Sequence, residues 1–118
     1  MSRKRILVVD DDADVRSVVE AVLSSAGFDA LGAADGSEGI ERAVLERPDL
    51  VLLDVLMPNL SGWEVCATLR SLPETSSIPV VMLTVKSEIR DFVAGRQAGA
   101  VDFVTKPFTK ARLVEAVE

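Results

Sequence analysis

The sequence predicts an α/β domain in which five short parallel strands form a sheet with helices on both faces. Three observations carry this. Short apolar runs alternate five times with stretches of helical period. Three runs, Ile6–Val9, Leu50–Leu53 and Val80–Leu83, are continuously apolar, as strands covered on both faces must be. Each connection is long enough for a right-handed crossover between parallel neighbours.

The elements follow in order. "RILVV" (5–9) is the first strand. Val15, Val18, Val19, Val22 and Leu23 then repeat at the spacing of one helix face, with Asp12 and Asp14 placed to cap and charge its start and Gly27 to end it. "FDALGA" (28–33) is a second strand, and Ile40, Ala43 and Val44 mark a second helix that Pro48 stops. "DLVLL" (49–53) precedes a third helix marked by Val65, Leu69 and Leu72 and ended by Pro73. "PVVML" (79–83) precedes a fourth, marked by Ile89, Phe92 and Val93, with Ser87 as its N-cap and Gly99 near its end. "AVDFV" (100–104) leads to a last helix begun by Leu113, Val114 and Val117.

Length bounds the rest. The 118 residues make one domain, 1–118, with one core. The last helix stops at Glu118 after about ten residues, short for a closing helix. It is read as truncated from a longer protein, with any output domain absent. Apolar residues at 48% and charged residues at 27% exclude a disordered tail. The net charge of −6 argues against direct nucleic-acid binding, because phosphate backbones attract basic surfaces. No apolar run reaches the length of a signal-peptide core or a membrane span, so a cytoplasmic protein with no membrane partner is expected. The single cysteine, Cys66, can form no internal disulfide and reads as a small core side chain. The chain has no His and no Tyr. That excludes a His metal ligand, a His general base, phosphohistidine and phosphotyrosine.

In a doubly wound sheet, ligands bind beyond the carboxyl ends of the strands. The polar residues following the strands are therefore the site candidates: Asp10, Asp11 and Asp12, then Asp54, Thr84 and Lys106. Asp12 is accounted for as a helix cap. Asp54 is not, because it lies inside "VLLDVLMP" (51–58), where a lone carboxylate is costly without a cation. Asp10, Asp11 and Asp54 together set like charges side by side, which calls for a metal. Hard carboxylate oxygens suit Mg²⁺, which holds a few carboxylates and completes its shell with water and phosphate oxygens. A carboxylate beside Mg²⁺ can act as a nucleophile and form an acyl phosphate. Lys106 and Thr84 would then hold the charge on the phosphoryl oxygens.

At these residues the chain resembles the receiver domain of bacterial two-component response regulators. The resemblance runs through "ILVVDDD" (6–12), "DLVLLDVLMPNLSGWE" (49–64), "VVMLT" (80–84) and "AGAVDFVTKPF" (98–108). It implies the flavodoxin-like strand order 2-1-3-4-5 in a three-layer sandwich. It implies that Asp54 is the phosphoacceptor. Mg²⁺, with Mn²⁺ as an alternative, would be held by Asp11, Asp54 and the Leu56 carbonyl, and through water by Asp10. Lys106 would contact the phosphoryl group, and the Lys106–Pro107 bond would be cis. Thr84 and Phe103 would form a switch pair, Thr84 moving toward the phosphoryl group and the Phe103 ring turning inward. The plainer reading of Phe103 is a core aromatic, and that of Pro58 and Gly62 is turn residues. The implied partners are a sensor histidine kinase or histidine phosphotransfer protein, a downstream output protein or domain, and a second copy of the chain when phosphorylated. The output face would be built from the fourth helix, fifth strand and fifth helix. No enzymatic turnover is implied beyond assisting its own phosphorylation and dephosphorylation.

The chain departs from the family's pattern at several positions. Val85 follows Thr84 where the family usually has Ala or Gly, so entry of phosphodonors should be slower. Leu56 and Lys86 stand where side chains influence attack by water, and Leu56 offers that water no hydrogen bond, so a long-lived phosphoryl group is expected. Phe103 replaces the frequent Tyr and has no hydroxyl for the outward state. Trp63 is read as surface-leaning and near enough to Asp54 to report ligand binding. Three rival readings turn on particular residues. A flavin module needs a Ser-, Thr- or Gly-rich first loop, and "DDDADV" (10–15) would repel a phosphate. A phosphatase with an Asp nucleophile needs a second acid at position 56, which is Leu. A degenerate receiver acting only as a protein-binding module would not need the complete set of phosphorylation residues.

Overall fold

The computed structural model describes residues 3–55, 57, 59–85, 99–106 and 108–118, with Val85 and Lys106 described by backbone alone. The strands are β1 (Arg5–Val9), β2 (Asp29–Ala33), β3 (Leu50–Asp54), β4 (Val80–Val85) and β5 (Asp102–Lys106). The helices among the described residues are α1 (Ala13–Ser25), α2 (Gly36–Glu46), α3 (Gly62–Ser71) and the C-terminal helix α4 (Lys110–Val117). All strand pairs are parallel, and the order is β2-β1-β3-β4-β5. This is the predicted three-layer architecture. The predicted fourth helix, with Ser87, Ile89, Phe92 and Val93, lies outside the described residues, as do Leu56, Pro58, Lys86 and Pro107.

Alternation along the strands sends side chains to two separate cores. Ile6, Val8, Leu50, Leu52, Val81, Leu83 and Val104 pack against Val19 and Leu23 of α1 and Leu113 and Val117 of α4. Leu7, Val9, Val51, Leu53, Val80, Met82 and Phe103 pack on the other face against Ala43 of α2 and Val65, Cys66 and Leu69 of α3. β3 is buried along its whole length, which explains its unbroken apolar run.

Local chemistry bounds the described helices, and α2 ends in a way the sequence does not mark. Asp12 caps α1 by accepting from the Asp14 and Val15 amides. Gly27 follows α1 with φ +96, a conformation that costs a side chain strain. Ser61 and Glu64 form a reciprocal capping box on α3. α2 ends on Arg47, which takes the left-handed conformation (φ 46) before Pro48. Position 47 would favour Gly, and nothing in the pattern of the chain marks it. At the start of β1, Lys4 donates from Nζ to the carbonyls of Val117 (2.7 Å) and Glu118 (3.1 Å), the open end of α4.

Candidate functional site

The carboxyl ends of β1 and β3 bring three acids together. Val9 pairs with Leu53, so the next residues, Asp10 and Asp54, stand side by side. One ligand oxygen from each of Asp10, Asp11 and Asp54 lies within 4.8 Å of the others. Asp10 is 1% exposed and Asp54 7%, whereas Asp11 faces solvent. Two inner carboxylates and one outer one thus lie together at the carboxyl ends of β1 and β3, two inner strands of the sheet.

Backbone hydrogen bonds build this corner. The Asp10 amide donates to the Ala33 carbonyl (3.2 Å), and its side chain accepts from the Asp12 amide (2.9 Å). The Arg16 guanidinium donates to the Asp10 carbonyl (2.7 Å). Beyond Asp54, the Val55 amide donates to Leu83, and the Gly62 amide donates to Val55 (2.9 Å). α3 therefore starts against the end of β3. A Cβ on Gly62 would run into the Asp54 carbonyl oxygen and stand 2.8 Å from Val55 Cα.

The strands run slightly further than the apolar runs suggest. Asp54 is the last residue of β3 rather than the first after it, pairing with Leu83. Thr84 lies inside β4 opposite Thr105, and Lys106 closes β5 opposite Val85. The reason is that parallel ladders are held by the backbone, which continues pairing under polar side chains. Thr84 is 6% exposed, and its Oγ1 has no hydrogen-bond partner among the described residues. A buried hydroxyl without a partner is costly, so an incoming acceptor would be favoured there. Phe103 is 5% exposed and packs in the same core as Met82, two residues before Thr84. The ring is inward already in the unmodified chain. The cis bond expected before Pro107, the Leu56 carbonyl and the side chains of Lys106 and Val85 lie outside the description.

Two neighbours of the site behave as the sequence suggests. Trp63 is half-buried at the start of α3 and packs on the edge of the core beside Met57 and Leu60. Cys66 is fully buried, and burial pushes its thiol pKa up, with Arg70 partly opposing. Arg16, by contrast, was missed. An Arg on the polar side of an amphipathic helix carries no mark in the sequence that separates it from a solvated one.

The donor set fits a small hard cation. Three carboxylates supply anionic oxygens without sulfur or nitrogen, the chemistry that Mg²⁺ and Mn²⁺ share. Among the described residues, no helix is long and apolar enough to cross a membrane.

Comparison with known proteins gives one consistent answer. The family model described as "Response regulator receiver domain" matches residues 6–118. The DNA-binding response regulator MtrA of Mycobacterium tuberculosis is 44% identical over 115 residues, covering 98% of this chain and 49% of that protein. A protein of Porphyridium aerugineum named "Probable transcriptional regulator ycf27" is 42% identical over 113 residues, covering 96% of this chain and 46% of its own length. The chain thus spans about half the length of these curated relatives. Among solved structures, chemotaxis protein CheY4 of Vibrio cholerae superposes with a TM-score of 0.93 at 30% identity, covering 98% of this chain and 97% of that one. The receiver domain of sensor histidine kinase PA1611 from Pseudomonas aeruginosa PAO1, solved with a magnesium ion coordinated in its active site cleft, gives 0.90 at 30%, covering 98% and 95%. With its strand order, its strand-end acids and these matches in agreement, the chain belongs to the response regulator receiver family.

Proposed function

We propose that the chain is a phosphorylation switch whose acceptor is Asp54. The observation that carries this reading is the Asp54 carboxylate at the end of a wholly buried strand, with oxygens of Asp10 and Asp11 within 4.8 Å. The donor would be phosphohistidine on a sensor kinase or phosphotransfer protein, since this chain has no His of its own. An Asp54 carboxylate oxygen forms the new O–P bond as the donor's N–P bond breaks. The imidazole leaves with the bonding pair and takes up a proton.

Asp11, Asp54 and the Leu56 carbonyl, with Asp10 through water, would hold Mg²⁺ or Mn²⁺. When bound, that ion supplies positive charge to the phosphoryl oxygens during transfer. Lys106 would hold a second oxygen and Thr84 a third, the latter supported by its buried hydroxyl, which has no partner among the described residues. Movement of Thr84 toward the phosphoryl group would be coupled to Phe103, which shares its face of the sheet. The switch then biases two states of similar energy, and the response is read at the surface around β5 and the C-terminal helix by an output protein or domain or a second copy. MtrA's description as a DNA-binding regulator supports transcription as the coupled response. The chain would act in the cytoplasm, where such kinases present their phosphohistidine, and would not itself turn over a substrate.

The test is labelling by acetyl phosphate, read by intact mass. With Mg²⁺ the wild type should gain one phosphoryl group, and Asp54→Asn or EDTA should abolish the gain. An Asp54→Asn protein modified as readily as the wild type would sink the assignment.

A further inference from the structure

We propose that Arg16 is a positioning residue for the acid cluster, holding the β1–α1 turn so that Asp10 and Asp11 present their carboxylates to one cation. The inference rests on the metal reading above. Asp10 is tied at three atoms: its N–H to Ala33, its side chain to the Asp12 amide, and its carbonyl oxygen to Arg16. The first bond leads to β2 and the second stays within the turn. The third ties it to the first turn of α1. The carbonyl it grips belongs to the peptide plane joining Asp10 to Asp11. That plane is rigid, so fixing its oxygen restricts the two dihedrals that set the carboxylates relative to one another.

The fold makes room for this contact. Arg16 is half-buried, and its stem crosses β2 at Gly32, which pairs with Val8. A Cβ on Gly32 would stand 3.3 Å from Arg16 Cδ, 3.5 Å from Nε and 2.6 Å from Glu20 Oε1. Glu20 would have to swing away and Arg16 Cδ to give by a few tenths of an ångström, while Nε would stay at ordinary contact. Gly32 therefore leaves room beside the Arg16 stem.

Charge and position predict opposite signs here. A guanidinium acting only as a nearby positive charge opposes cation binding, so its removal would tighten Mg²⁺. A positioning guanidinium helps binding, so its removal weakens it. Calorimetric titration with Mg²⁺ should show Arg16→Met weakened on the order of tenfold, as for other partners that orient metal ligands. Arg16→Lys, which keeps one donor, should fall between Met and wild type, and Gly32→Ala should weaken binding less than Met does. In the metal-free protein, the Asp12 amide should exchange faster in Arg16→Met while the amides of β3 do not change. Unchanged or tighter Mg²⁺ binding in a folded Arg16→Met protein overturns the proposal, as does unchanged Asp12 exchange. Should Arg16→Met not fold, the same criteria apply to Arg16→Lys and Gly32→Ala. A wild type that binds no Mg²⁺ overturns the metal reading and this inference together. A wild type that binds normally, beside variants that do so equally, overturns this inference alone.

Discussion

Gly62→Ala should weaken both the fold and the chemistry, because the first residue of α3 touches the backbone that carries Asp54. An added Cβ would collide with the Asp54 carbonyl oxygen and lie 2.8 Å from Val55 Cα and 3.1 Å from the Asp54 carbonyl carbon. Ordinary contact begins near 3.4 Å. The end of β3 and the start of α3 must therefore part by roughly 0.6 Å or more, and no side chain can rotate to relieve it. Overpacking of this kind costs about 1–3 kcal/mol, and contacts made wholly with backbone belong at the upper end. Alanine's better helix propensity returns about 1 kcal/mol at most. The net loss is about 2 kcal/mol, or roughly 5–10 °C in Tm for a domain of this size. The displacement also moves the Asp54 carboxylate, and misplacement of a reacting group by about 1 Å costs up to about a hundredfold. Thermal unfolding and the acetyl phosphate labelling rate measure the two effects. Gly27→Ala is the control: its Cβ meets nothing within 4 Å, but φ is +96, so it should lose about 1 kcal/mol through backbone strain and label normally. A Gly62→Ala protein that melts and labels like the wild type refutes the reasoning.

Other expectations are simpler. Arg47→Gly should raise stability by about 0.5–1 kcal/mol in denaturant titration, because Arg47 is exposed and left-handed at the end of α2. Burial raises the Cys66 pKa above the 9.0 of an ordinary thiol. Its stabilising effect is therefore complete below pH 9.0 and is lost as pH climbs through the raised folded value. Cys66→Ala should flatten that alkaline limb, and native Cys66 should resist alkylation until the protein unfolds. Val85→Ala should speed labelling by acetyl phosphate severalfold if the β-branched side chain narrows the entrance, and equal rates would remove that idea. The Asp54 phosphoryl group should persist well beyond a few seconds after donor removal, because Leu56 gives an attacking water no hydrogen bond.

Much of the fold was readable because its periods are unambiguous. A strand buried on both faces must be apolar throughout, and β3 is. The site was readable for the opposite reason: Asp54 breaks that local rule, and a carboxylate in an apolar run calls for a compensating group. Strand ends were less readable, because β4 and β5 go on pairing through Thr84 and Lys106 where the side-chain pattern has already stopped. Backbone conformation was not readable where the residue type disguises it. Arg47 and Asn59 take positive φ although neither is Gly. Tethers between elements were silent as well. The Arg16 grip on Asp10 and the Arg70 bonds to the Gly99 carbonyl (3.2 and 2.8 Å) depend on how elements meet, not on any spacing within one.

The bond from Lys4 to the end of the C-terminal helix has a practical meaning for anyone handling this domain. It holds Lys4 and the end of the C-terminal helix together at one pole, before the first residue of β1. The acids stand at the opposite pole, about 20 Å from Lys4, since six residue steps of roughly 3.3 Å each lead along β1 to Asp10. A tag, dye or surface linker placed beside Lys4 or Glu118 would hang from the back of this domain and leave the acids open to a docking donor. An immobilised chain would present its acceptor outward, and two chains tethered through their tails could still each meet a donor face to face.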